Sequence, residues 1–97
     1  MNSLNNFIEN ASNDERLSLT DFCTYIALLQ CWIKNSFQNP VRIRRCQIMH
    51  LSKINAKTTY HKCVKQLQLT GYIKYEPSFD PQGSMVYILD ISAKPKL

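Results

Sequence analysis

Between Lys57 and Lys65 the chain sets Lys57, His61, Lys62 and Lys65 among the hydroxyls of Thr58 and Thr59. Ammonium groups bind phosphates. Lysine also reads the acceptors on a guanine edge, and threonine reaches a base edge or a thymine methyl. A second chemistry is open to Cys46 and His50, four residues apart, with His61 and Cys63 nearby in sequence. Thiolates and imidazoles at helical spacing can hold Zn²⁺. At that spacing, however, Cys63 falls on the apolar side of its segment and His61 on the other, and no Cys-x-x-Cys pair exists. No metal site is therefore expected. No nucleophile–base pair or paired carboxylates stand out, and two glycines cannot build a phosphate-cradling loop. The reading is of a chain with no catalytic residue and no cofactor, not an enzyme.

The charge is segregated. From Met1 to Pro40, Glu9, Asp14, Glu15 and Asp21 outweigh Arg16 and Lys34, a net of −2. From Val41 to Tyr75 stand Arg42, Arg44, Arg45, Lys53, Lys57, Lys62, Lys65 and Lys74, with no acid at all, a net of +8. Beyond them Glu76, Asp80 and Asp90 face Lys94 and Lys96. The whole chain carries +5, so its positive charge is one block. A basic block inside a folded domain points to a polyanion. Scattered lysines would have suggested only a solubilising surface.

Around these residues the pattern calls for a folded domain. Ninety-seven residues, 44% of them apolar, suffice for one small core. No apolar run approaches the roughly 20 residues needed to span a bilayer. The N-terminal stretch lacks the basic and apolar regions of a secretory signal. The cytoplasm is the expected compartment, and Cys23, Cys31, Cys46 and Cys63 are expected to be reduced and to pack as small hydrophobes.

Residues 1–17 read as a leader, loose or forming a short helix on Leu4, Phe7 and Ile8. Thr20 reads as an N-cap with Asp21 in the first turn. Phe22, Tyr25, Ile26, Leu29, Trp32, Ile33 and Phe37 then give one long helix, stopped by Pro40. Val41 to Ile43 is a candidate small strand. Cys46, Ile48, Met49, Leu51 and Ile54 give a short helix, and Asn55 turns the chain or caps the next helix. Residues 56–70 form that next helix, with Tyr60, Cys63, Val64 and Leu67 on its core face and Gly71 as its left-handed stop. "YIKYEP" and "MVYILDI" are strands around the turn-rich "DPQGS", and residues 93–97 are a tail. The fold class is α+β.

A short helix, a tight turn, a second helix and then a hairpin make a recognisable whole. "MHLSKINAKTTYHKCVKQLQLTGYIKYEP" followed by "DPQGSMVYIL" resembles the winged helix-turn-helix superfamily of DNA-binding proteins. "LTDFCTYIALLQCW", "FQNPVRI" and "KTTYHKC" are similar to small bacterial winged-helix proteins, some carried near mobile elements. The resemblance spans roughly Ser18 to Ile91, and the domain is expected over residues 18–92. It implies a three-helix winged helix-turn-helix domain with a C-terminal two-stranded β-hairpin wing.

On that reading residues 56–70 are a major-groove recognition helix. Lys57, Thr58, Thr59 and His61 are the expected base contacts, because such helices present their N-terminal residues to the bases. Lys62, Lys65, Arg42, Arg44, Arg45, Lys53 and Lys74 are the expected backbone contacts. The implied function is sequence-specific binding of double-stranded DNA by a small bacterial transcriptional regulator. A homodimer through the first long helix and the leader is the expected partner state, with no membrane contact. The alternative is a winged helix that docks on protein, or an accessory factor for replication or excision of a mobile element. The wing departs from many DNA-binding wings, since "PSFDPQGS" has no cation and carries Asp80. Ser78, Gln82 and Ser84 are its candidate contacts.

Overall fold

Ser18, not Thr20, starts the long helix in the computed structural model, which describes residues 2–77 and 83–89. The Ser18 hydroxyl accepts the Asp21 N–H at 3.2 Å, and the Asp21 carboxylate accepts the Ser18 N–H at 2.9 Å. This reciprocal pair satisfies two donors that a helix start leaves open. Thr20 also fits a cap, and it lies inside the first turn with its hydroxyl 3.0 Å from that of Ser18. Ser18→Ala is expected to cost about 1 kcal/mol, read as a lower Tm with an unchanged far-ultraviolet spectrum.

The elements run α1 (Asn2–Ser12), α2 (Leu19–Lys34), β1 (Val41–Ile43), α3 (Arg45–Ser52), α4 (Lys57–Leu69), β2 (Ile73–Glu76) and β3 (Ser84–Ile88). They form a small mixed α+β domain. Among the described residues it has four helices rather than three, and a three-stranded antiparallel sheet rather than a bare hairpin. The extra helix is the leader: α1 buries Phe7 and Ala11, with Phe7 stacked on Trp32 at 5.1 Å. The extra strand is β1, which pairs with β3 in the register Val41↔Val86, Arg42↔Met85, Ile43↔Ser84. The sheet order is β1-β3-β2. One step beyond the ladder, the Asn39 side-chain amide exchanges both hydrogen bonds with the Ile88 backbone, at 2.9 and 3.0 Å. It continues the pairing across Pro40, which has no N–H to give.

α2 stops before Phe37, earlier than its apolar spacing suggests. Ser36 and Phe37 turn left-handed, with φ of 57° and 60°, and their N–H groups close onto Ile33 and Trp32 carbonyls. Phe37 thus folds back edge-on to Trp32 at 5.0 Å and stays half exposed. α4 ends in the expected way. Gly71 takes φ 88°, its N–H meets the Gln68 carbonyl, and the Tyr72 N–H meets that of Leu67. This is the six-to-one and five-to-two closure that favours glycine.

The core gathers Tyr25, Leu28 and Leu29 of α2 with Ile43, Ile48, Tyr60, Leu67, Ile73 and Val86. Tyr72 ties this core to the α1–α2 connection. Its hydroxyl donates to Asp14 at 2.8 Å and lies 3.2 Å from the Asn10 carbonyl. The Arg16 side chain, chiefly through its hydrogen bonds, holds the Asp14 carboxyl well below the usual carboxylate range, against the opposing effect of burial. A depressed carboxylate stabilises the fold above its unfolded pKa near 3.8, and that stability is lost as pH falls below it. Between about pH 5 and pH 2.5 the unmodified chain should therefore lose about 5 °C more in Tm than Asp14→Asn does. Parallel acid limbs in the two proteins would contradict this.

Candidate nucleic-acid interface

α4 has two unlike faces because its apolar residues recur at three- and four-residue spacing. Tyr60, Cys63, Val64 and Leu67 are buried. Lys57, Thr58, His61, Lys62 and Lys65 are exposed on the other side, and Thr59 is half-buried on the flank. The helix spans about 20 Å at 1.5 Å per residue. A helix of this width, about 10–12 Å with its side chains, matches the roughly 12 Å major groove.

Both flanks of α4 are pinned. Gln66 donates its side-chain N–H to the Arg16 carbonyl at 3.1 Å, and the Gln68 side-chain oxygen accepts the Tyr75 N–H of β2 at 2.7 Å. Sequence reasoning gave neither glutamine a role: Arg16 is 50 residues from Gln66, and Tyr75, only seven from Gln68, lies across the Gly71 turn on another element. It also passed over Leu69, which is 72% exposed. Leu69 continues the ridge of Thr58, Lys62 and Lys65 at four, seven and eleven residues, so that signal was readable. Lys62, Lys65, Gln66 and Leu69 border an open groove of about 410 Å³ whose other wall includes Asp21.

The remaining cations surround α3. Arg42 stands outward between buried Val41 and Ile43. Arg44 is the N-cap of α3, extended and with no side-chain capping bond, and Arg45 opens the helix. Both are exposed. Lys53 closes α3 in the left-handed region at φ 61°, a conformation that costs a non-glycine residue about 1–2 kcal/mol. Asn55 does not cap the following helix. Ala56 occupies that position, without a side-chain bond.

Lys74 is already engaged, 3.6 Å from Glu76 and 5.3 Å from the centre of the Tyr87 ring. Its partners are on the sheet. By contrast, Arg42, Arg44, Arg45, Lys53, Lys57, Lys62 and Lys65 have no carboxylate within 4.0 Å among the described residues. The arginines do not pair there with Asp21 or Glu15. Asp21 is taken by the Ser18 cap.

The cysteines divide. Cys31 and Cys63 are buried, and burial is the main influence pushing both thiols up. Cys23 is half-buried, whereas Cys46, expected to pack inward, is exposed. It occupies the outer side of a helix whose buried residues are Ile48 and Ser52. Among the described residues no three His, Cys, Asp or Glu side chains gather as a metal site would need. No helix there is long and apolar enough to cross a membrane. Burial also pushes the Tyr60 hydroxyl up, beneath the cationic face. Ser78, Asp80 and Gln82 of the turn-rich loop, and the 93–97 tail, lie outside the described residues. Ser84 opens β3, with its hydroxyl 3.2 Å from that of Tyr75. No protein family, curated protein or solved structure was found to match the chain.

Proposed function

We propose that this chain is a winged-helix protein that binds double-stranded DNA in a sequence-specific way, as a small bacterial transcriptional regulator. α3 and α4 are the helix-turn-helix, and β2 and β3 are the wing, joined at its root by β1. The single observation that carries the reading is the division of α4. One face is spent on the core, and the other presents Lys57, Thr58, His61, Lys62 and Lys65 to solvent.

Docked in a major groove, the first turns of α4 bring Lys57, Thr58, Thr59 and His61 to base edges. Lys62 and Lys65 meet phosphates farther along. Arg42, Arg44, Arg45 and Lys53 clamp the backbone beside α3, fixing register without reading sequence. Lys74 contributes least, because its ammonium is shared with Glu76 and Tyr87. One such module reads few base pairs, so a homodimer through α1 and α2 on a two-part site completes the proposal. The half-exposed Phe37 and the 39%-exposed Ile33 supply apolar surface at that end of α2.

Selection of bound sequences from a random duplex pool tests the reading. A short enriched motif, repeated in two halves, is the expected result. Enrichment of no sequence would reject base reading by α4. A second reading, docking on protein, is favoured by one observation: exposed Leu69 at the end of the cationic ridge, which phosphates cannot use. Leu69→Ala leaves duplex affinity unchanged if DNA is the ligand.

A further inference from the structure

Three residues with hydrogen-bond-donating side chains border one cleft beside the start of α3. Lys34 in the last turn of α2, Arg42 on β1 and Gln47 on α3 line a cleft of about 220 Å³. Cys31, Asn35 and Val41 complete its walls, so no carboxylate faces it among the described residues. Lys34, Arg42 and Gln47 make no side-chain hydrogen bond or ion pair among the described residues. Asn35, in contrast, is fixed as a wall, its amide donating to the Gln38 and Pro40 carbonyls at 2.8 and 3.4 Å.

A guanidinium offers two parallel N–H groups to an oxyanion, an ammonium adds a point charge, and a neutral amide adds a third donor. We infer that this cleft binds a phosphate-type oxyanion, supplied either as free phosphate or a phosphate monoester, or as one backbone phosphate of a bound duplex. The first source is independent of the DNA reading, and the second rests on it. Either occupant bridges the end of α2 to β1 and α3, and so fixes the helix that precedes α4.

The test follows backbone amide resonances of the full chain during titration with inorganic phosphate, at ionic strength held constant with chloride. Saturable shifts confined to residues around 34, 35, 42 and 47 are expected. Lys34→Ala and Arg42→Ala should each weaken binding about tenfold, as loss of one charge-assisted hydrogen bond does. Both side chains are exposed, so the variants keep the fold, and their unchanged amide spectra elsewhere would confirm it. A parallel arm measures duplex binding. A fall of about one in the salt slope for Lys34→Ala, a residue outside the α3 clamp, identifies a backbone phosphate as the occupant. An unchanged slope with saturable phosphate shifts identifies the free anion. Shifts that grow linearly and equally at every cation from 41 to 75, together with an unchanged slope, would overturn the inference. If no duplex binds at all, the DNA reading fails and the phosphate arm alone decides the cleft.

Discussion

Replacing Lys57, Lys62 and Lys65 together with alanine should lower affinity for duplex DNA by about a hundredfold to a thousandfold at low salt. Lys62 and Lys65 each neutralise a phosphate and release condensed counterions on binding, and Lys57 adds a base contact, so the three losses compound. The same variant should flatten the dependence of log K on log salt by about 2 units. All three side chains are exposed, and none touches a carboxylate among the described residues. Thermal stability should therefore be unchanged or slightly raised, since like charges repel along the ridge. His61→Ala is a different case. Removing a base-reading imidazole should relax preference at one position of the site and leave the salt slope alone. A triple variant that folds and binds as tightly as the unmodified chain would mean that α4 presents another face to its ligand.

The largest effect on folding is expected at Gly83. Its φ is 114°, outside the range that side chains tolerate, and a Cβ there would stand 2.2 Å from the Ile43 carbonyl oxygen. Backbone rather than a flexible side chain blocks the way, so either β3 must leave β1 or the residue must change its conformation. Strain of this kind costs about 1–3 kcal/mol before the clash is counted. Gly83→Ala should cost about 3 kcal/mol or more, a Tm lower by about 15 °C in a domain of this size. Gly71→Ala provides the comparison. Its φ is also positive, but that cap should lose only about 1 kcal/mol. The Gly83 variant should also disturb the Ile43↔Ser84 pairing, which helps set where Arg42 and Arg44 stand. Equal losses at the two glycines would remove the argument from close packing.

Why α4 could be read whole from the chain, while β1 could be read as a candidate strand but not its pairing, is a matter of distance. Tyr60, Cys63, Val64 and Leu67 declare a helix face by local spacing, and Gly71 marks its end by a conformational need that is also local. The cationic face follows from the same period. The partners of β1 are more than 40 residues away, at Ser84 to Val86, and three residues carry too little pattern to announce them. The Asn39 clasp on Ile88 and the Asp14–Tyr72 hydrogen bond lie at separations of 49 and 58 residues. The Ser18 cap was a local ambiguity. Both Ser18 and Thr20 precede Asp21, and only the reciprocal bond decides between them.

Phe37 and Cys46 misled for opposite reasons. Phe37 keeps helical spacing with Ile33, but the helix ends at Lys34, and Ser36 and Phe37 itself turn left-handed. Cys46 keeps spacing with Met49, but α3 is short and turns its core face to Ile48 and Ser52. The surface roles of Arg42, Arg44 and Lys53 were legible as charge alone. Their freedom from carboxylate partners among the described residues needed three dimensions.

The most direct measurement is the affinity of the full chain for a random 20–30 base-pair duplex by fluorescence anisotropy, from low to moderate salt. With about four to six phosphate contacts from α4 and the α3 clamp, log K should fall against log salt with a slope of about −4 to −5. No binding at the lowest salt, or a slope near zero, would contradict the proposal that the cationic face of α4 meets DNA.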